Sequence, residues 1–284
     1  MVNPLNKYFR KPAISISLPT QGEFYAPGAL TFDNDKELNV FPMTARDEMM
    51  MNSPDALLNS SATIDVIKSC VPGIRDPWSM PVIDLDTVLL GVRIASLGES
   101  MDISVIVPKV EETIAYTVDL RVMMDQIDRS QFNPYVVLEP TLTVKVKPMS
   151  YRQLTNLQLR TYEQQRMITQ VAQGKMSASE KNKEFNEIFN RMTNLTLDNM
   201  KEGVLEINAD GDVITENTYI SEFVDNMQAE MASKIRTHID GQNSLGKIKP
   251  ITVQVPEDMV KKGAPTTFGS PLSLDNSNFF VRKS

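Results

Sequence analysis

Thr141-Leu142-Thr143-Val144-Lys145-Val146-Lys147-Pro148-Met149-Ser150-Tyr151 is the stretch on which the fold turns. Its first seven residues alternate polar and apolar side chains, the period-two mark of a half-buried strand, and Pro148 closes it. From Tyr151 to Val171 the composition becomes helical, with Leu154, Leu157, Tyr162, Ile168 and Val171 as candidate inward positions. A single change of period therefore divides the chain. The expected class is α+β: a mixed domain of short strands and helices over residues 1–149, a helical subdomain with a short hairpin over 150–240, and an extended arm over 241–284.

Upstream of that point the signals are short. Ile14-Ser15-Ile16-Ser17-Leu18 alternates as a strand, and Pro19 ends it before a turn that carries Phe24 and Tyr25. Leu38 to Pro42 reads as a second strand. Thr44 caps a helix whose first turn holds Asp47 and Glu48, and Ser53-Pro54 starts another. A third helix is expected over Ile64 to Val71. The best punctuated one runs from about Leu85 to Leu97, with Asp84 as its cap and Gly98 at its C-terminal end. Ile103 to Val107 and Ile114 to Val118 make a hairpin around Pro108-Lys109-Val110-Glu111-Glu112.

Downstream, Gly174 interrupts the first long helix. Ser177-Ala178-Ser179-Glu180 matches a capping box, ahead of an apolar stripe of Phe185, Ile188, Phe189, Met192 and Leu195. Asp210-Gly211 lies between two short apolar runs as a hairpin turn. Tyr219 to His238 reads as one amphipathic helix, with Phe223, Met227, Met231 and Ile235 at fourfold spacing. The final arm holds one strand candidate, Ile251 to Val255.

Composition narrows the chemistry. The 284 residues include one His, one Cys, one Trp and 17 Met, with 36 acidic against 29 basic residues and a net charge of -7. That balance gives no general attraction to nucleic acid. No run of about 18 apolar residues exists to span a membrane. Met1 to Arg10 lacks the apolar core of a signal peptide, so a reducing cytoplasm is expected, which suits an unpaired Cys70. One His and one Cys cannot build a Cys/His metal cluster, and no cofactor motif is present. His238 reads as a helix-end residue, Cys70 as a buried thiol, and Asn208-Ala209-Asp210-Gly211-Asp212 as a turn rather than a calcium loop, since it lacks the terminal bidentate Glu. Asp47/Glu48 and Glu111/Glu112 are adjacent carboxylates whose side chains diverge, which is unsuited to paired acid/base work.

Two features point to contacts instead. Met49, Met50 and Met51 cannot all face one core, because successive helical side chains rotate by about 100°. Core packing and interface exposure both remain open for them, and at least one faces a neighbouring subdomain or a partner. Phe279 and Phe280 either dock back on their own domain or insert into another protein.

The order of these motifs resembles the baseplate hub and hub-assembly protein family of T-even-like contractile-tailed bacteriophages. Leu18-Pro19-Thr20-Gln21-Gly22-Glu23-Phe24-Tyr25 is similar to the family's opening Leu-Pro-Ser-x-Gly-x-x-Tyr element. Val40 to Glu48 resembles its strand and Thr-x-x-Asp-Glu helix start, and Ile83 to Glu99 its Asp-capped helix with an Arg-x-x-x-x-Gly ending. Phe279-Phe280 matches its aromatic terminus. The resemblance implies a non-enzymatic late protein of tail assembly, a component or assembly factor of the central hub. Implied partner contacts are Phe24, Tyr25, Met49, Met50, Met51, Phe279 and Phe280, toward other hub subunits and the tape-measure protein; a homo-oligomer is left open. The implied location is the host cytoplasm during assembly and then the virion tail baseplate. A tail-assembly chaperone absent from the virion is the alternative, and a tail-associated hydrolase the remote one.

The resemblance implies zinc-ribbon Cys-Pro-x-Cys pairs in the family at the places where this chain reads Val107-Pro108-Lys109-Val110 and, further on, Val255-Pro256-Glu257-Asp258. Valine cannot ligate zinc, so packing is expected to join hairpin and arm. Metal analysis of the purified protein is expected to find no stoichiometric zinc; one equivalent per chain would overturn the mapping.

Overall fold

A computed structural model describes residues 4–51, 60–127, 129–174 and 176–272. The fold is α+β. Two compact units make it up, Met1–Ser130 with Leu245–Ser284, and Gln131–Ser244. The helix start expected at Ser53-Pro54 lies outside the described residues.

The first unit is arranged around one buried helix. Strands β1 (Ile14–Ser17) and β2 (Glu37–Val40) pair antiparallel, Ile16 against Leu38, and both side chains are buried. Helix α1 (Ala45–Met51) opens with a reciprocal cap: the Thr44 N–H donates to Asp47 Oδ2 at 2.7 Å, and the Asp47 N–H to Thr44 Oγ1 at 3.2 Å. Helix α2 is Ser61–Cys70, and helix α3 is Val82–Leu97. Twelve residues of α3 are buried, on every side of it, as in a helix enclosed by its own domain. Gly91 lets β1 approach, since a Cβ there would sit 3.0 Å from Ile16 Cγ2. Gly98 ends α3 at φ 91°, and its carbonyl accepts from Arg93 Nη1 at 3.4 Å.

Strands β3 (Ser100–Ile106) and β4 (Thr113–Asp119) form the expected hairpin, with seven paired positions from Ser100↔Asp119 to Ile106↔Thr113. Helix α4 (Leu120–Asp125) follows, capped by the Asp119 carboxylate.

The returning chain is folded, not extended. Between Leu245 and Leu272 it makes β9 (Ile251–Gln254), a short helix (Glu257–Lys261) and β10 (Thr267–Ser270), with β9 and β10 antiparallel. Val107, Val255, Met259 and Ala264 form one buried cluster, lined by Val110, Ile114, Val260 and Phe268. Val107 and Val110 thus meet Val255 in a single apolar staple, the packing that the two Val-Pro positions predict. Around it, Lys262 Nζ donates to Glu112 Oε1 at 2.8 Å and Tyr116 OH to the Thr252 carbonyl at 3.2 Å.

The second unit holds a four-stranded antiparallel sheet in the order β5 (Tyr135–Glu139), β6 (Leu142–Val146), β7 (Val204–Ala209), β8 (Asp212–Ile214). Val136, Val144 and Ile207 are matched across it and buried. This moves the boundary expected at residue 149. The strand at 142–146 belongs with the helices after it because its partner, β7, arrives only after two helices have carried the chain out and back. Those are α5 (Tyr151–Gln173) and α6 (Ala178–Gly203), each opened by a capping box, Ser150–Gln153 and Ser177–Glu180. Asp210 (φ 53°) and Gly211 (φ 96°) make the tight β7–β8 turn.

Two expectations in this unit are corrected. The helix expected from Tyr219 to His238 is two, α7 (Asn217–Asn226) and α8 (Ala229–Asn243). A fourfold spacing gains about 40° per step on a helix, so Phe223 and Ile235 could not share one straight face. The chain turns at Met227 and Gln228, both extended. Tyr162, expected inward, is 64% exposed, and Phe189 of the apolar stripe is 56% exposed. Thr161 and Ile188 take the inward positions beside them.

Gly246 decides whether the returning chain docks. Its φ is +74°, and a Cβ there would lie 1.9 Å from the Ile83 carbonyl oxygen at the start of α3. Two residues on, the Ile248 N–H donates to Asp86 Oδ2 at 3.0 Å. Gly246→Ala is expected to destabilise the first unit by about 3 kcal/mol or more. Urea unfolding followed by the fluorescence of Trp78, the one tryptophan, checks this, since Trp78 lies in that unit.

Candidate interaction surface

The Leu18–Tyr25 turn is held from beneath by Asp84. Asp84 is fully buried, and because α3 begins at Val82 it sits inside the first turn rather than capping it. Its Oδ1 accepts the Thr20 N–H at 2.9 Å, and its Oδ2 accepts the Thr20 hydroxyl and the Tyr25 hydroxyl, the latter at 3.0 Å. Burial pushes the Asp84 carboxyl up to about 6, against the lowering effect of the Thr20 and Tyr25 hydrogen bonds. Burial, and then the charge of Asp84, hold the Tyr25 hydroxyl well above its ordinary range, so it remains a donor. Tyr25, expected as a partner contact, spends its polar end on this internal site. Phe24 is half-buried at φ 69°, the left-handed geometry of the turn.

A second anchor fixes the N-terminal segment. Arg10 Nη1 donates to the Pro42 carbonyl at 2.9 Å and lies 3.6 Å from Asp47 Oδ2; Nη2 donates to the Ser69 carbonyl at 2.7 Å. The Ser69 hydroxyl donates to the same Asp47 oxygen at 2.9 Å. Arg10 thereby ties the residues before β1 to α1 and α2. Flanking this clamp in sequence are three large apolar side chains in solvent: Tyr8 at 73%, Phe9 at 57% and Met49 at 73% exposed. Met51 is buried and Met50 half-buried, so the Met run divides between core and surface. Tyr8 and Phe9 escaped the sequence reading, where they figured only as a segment too polar for a signal peptide. The usable signal was the pair of aromatics beside an Arg. Phe279 and Phe280 lie outside the described residues.

The residues weighed for chemistry sit in structural roles. Cys70 is buried, and burial raises its thiol to about 12, far from nucleophilic. His238 Nε2 lies 2.8 Å from the Asn133 carbonyl, at the edge of β5. Asp47 is occupied by Thr44, Ser69 and Arg10. Among the described residues, no three His, Cys, Asp or Glu side chains converge as metal ligands, and no helix is long and apolar enough to cross a membrane.

Residues 30–257 match the family model described as T4 bacteriophage base plate protein, well over half of the chain. The chain belongs to that family. No curated protein and no solved structure matches it. Membership makes the chain a phage baseplate protein, built to contact other phage proteins in the virion tail. The matched region takes in Val40–Glu48 and Ile83–Glu99 and stops short of Phe279-Phe280. The Leu18–Tyr25 turn lies outside it, yet rests on Asp84 within it.

Asp84 predicts a pH effect whose sign follows from its raised position. Between the ordinary carboxylate value of 3.8 and about 6 the folded chain holds a proton that the unfolded chain releases. The contribution of this group to stability is therefore fully present below the lower value and is lost as the pH rises through about 6. Asp84→Asn, whose oxygen still accepts the Thr20 N–H and whose NH2 donates to the two hydroxyls once they turn to accept, is expected to remove that pH dependence, worth on the order of 2–3 kcal/mol between pH 4 and 7. Asp84→Ala strands the Thr20 and Tyr25 donors and is expected to destabilise at every pH. Paired urea titrations across that range check both outcomes.

Proposed function

We propose that the chain works at the central hub of the baseplate, as a component or assembly factor that acts through protein–protein contacts and carries out no catalysis. Family membership supports the baseplate setting, and the order of the motifs at 18–25, 40–48 and 83–99 supports the hub. The observation that carries the contact role is the Arg10 clamp. It ties the segment that carries Tyr8 and Phe9 to the helix that carries Met49, with all three side chains in solvent, which lowers the cost of ordering them when a partner arrives. Exposed aromatic and Met side chains on a fixed base are the anchors that protein interfaces favour. Phe24 and the Phe279-Phe280 pair extend the same reading. The partners are other hub subunits and the tape-measure protein, met in the host cytoplasm during assembly, with the virion tail as destination.

Affinity purification of the tagged full chain from infected cells tests the proposal. Hub subunits are expected among the co-purifying chains, with recovery reduced about tenfold or more by combined Tyr8→Ser, Phe9→Ser and Met49→Ser. Unchanged recovery by that variant overturns the role of the clamp surface. Mass spectrometry of purified virions then separates a resident component, which is present, from a chaperone that leaves before maturation.

A further inference from the structure

The stretch before β1 differs from the rest of the chain in charge. The first acidic residue is Glu23; ahead of it stand Lys7, Arg10 and Lys11, in a chain whose net charge is -7. Residues 4–9 and 11–13 are all exposed, and between them Arg10 is drawn in to Asp47 and Ser69. The same sign continues beside the groups that Arg10 touches. Arg46, next to Asp47 on α1, and Lys68, next to Ser69 on α2, are both exposed. Exposed Asp65 and half-buried Glu48 oppose them. Among the described residues, Lys7, Lys11, Arg46 and Lys68 make no ion pair.

Apolar side chains lie within this positive surface. Pro4–Tyr8 is a 3-10 turn, closed by the Phe9 N–H donating to the Asn6 carbonyl at 3.1 Å. Side chains three apart are eclipsed in such a turn, so Leu5 and Tyr8 project from one side, and Phe9 follows at the fourth place. All three are exposed. Lys7 Nζ lies 4.8 Å from the centre of the Tyr8 ring. Lys7 precedes the aromatic pair and Lys11 comes two residues after it, so cations bracket an apolar centre, as at the rim of a protein interface.

We infer that this face anchors an acidic partner: another baseplate protein presents an apolar pocket to Tyr8 and Phe9, rimmed by Asp or Glu side chains that meet Lys7 and Lys11. The inference rests on the hub reading above and names the chemistry of the surface that reading requires. A positive rim on an acidic chain selects its partner by sign and speeds the encounter. A second copy fits less well. The face repels its own image, so a self-contact would run head to tail and grow into rings or filaments. Nucleic acid is opposed by the acidic remainder of the chain. The contact is small, an anchor within a larger interface, of the kind short segments make through side chains three and four apart.

Carbodiimide cross-linking, which joins a lysine amine to a carboxylate in direct contact, tests this on the tagged full chain purified from infected cells. Peptide mass spectrometry is expected to find Lys7 or Lys11 joined to an Asp or Glu of a co-purifying hub subunit. Lys7→Glu combined with Lys11→Glu is expected to cut recovery of that subunit about tenfold at low salt. Lys7→Arg combined with Lys11→Arg is expected to keep it. Arg166→Glu combined with Lys183→Glu makes the same change of net charge at exposed positions of the second unit and is expected to leave recovery intact. Raising the salt from about 0.05 M to about 0.5 M is expected to erase the difference between wild type and the first variant. Circular dichroism establishes that each variant keeps its fold. Absence of hub subunits from the wild-type preparation overturns the hub reading and this inference with it. Equal recovery by the Lys7→Glu, Lys11→Glu variant overturns this inference alone, as do cross-links from Lys7 and Lys11 confined to this chain, or recovery lost on nuclease treatment.

Discussion

Everything in the first unit that faces the N-terminal turn depends on a carboxylate buried without a countercharge. Asp84 lies in the first turn of α3 and answers three donors from a segment some sixty residues earlier. A buried charge is costly unless hydrogen bonds replace the lost water, and here Thr20 supplies two and Tyr25 one. The elevated carboxyl records that replacement as incomplete. An apolar side chain at this position would leave those donors stranded, and any other approach of the Leu18–Tyr25 turn would strand the acceptor. The interaction therefore contributes more to selecting one arrangement than to net stability.

The other end of the unit is held by shape. Val107, Val110 and Val255 occupy positions where the family resemblance places metal ligands, and they meet Met259 and Ala264 in a closed apolar cluster. Each fully buried valine contributes about 1.5–3 kcal/mol through its removal from water. A cluster of this kind joins a hairpin and an arm well over a hundred residues apart in sequence without requiring an ion or a redox state.

What the sequence made legible was local. Alternation at 141–147, the Ser177–Glu180 box, the Asp210-Gly211 turn and the Pro-centred hairpin at 103–118 each depend on neighbours within a few residues. What it hid was relational. An aspartate that caps a helix and one that lies inside its first turn beneath a loop look alike until the loop is in place, which is why Asp84 changed role. Tyr162 reads as inward because it is large and apolar, whereas the sheltered side of α5 is set by phase, running through Leu157, Ile168 and Val171, and it accepts Thr161 and Gln164. The pairing of β6 with β7 could not be read from either strand, because the two helices between them decide who the neighbour is. The exposed apolar side chains were half legible: Met49 through its crowded run, but not Tyr8 and Phe9, which stand next to the anchored Arg10.

The interrupted first unit has a consequence for how the protein is made. Ribosomes deliver residues in order, and the complete second unit, Gln131–Ser244, emerges before Val255 can reach Val107. Until then the β3–β4 hairpin waits with one wall of its cluster missing, while the sheet and helices of the inserted unit are free to form independently. The length of the inserted unit thus separates, in the order of synthesis, the hairpin from the residues that complete its cluster.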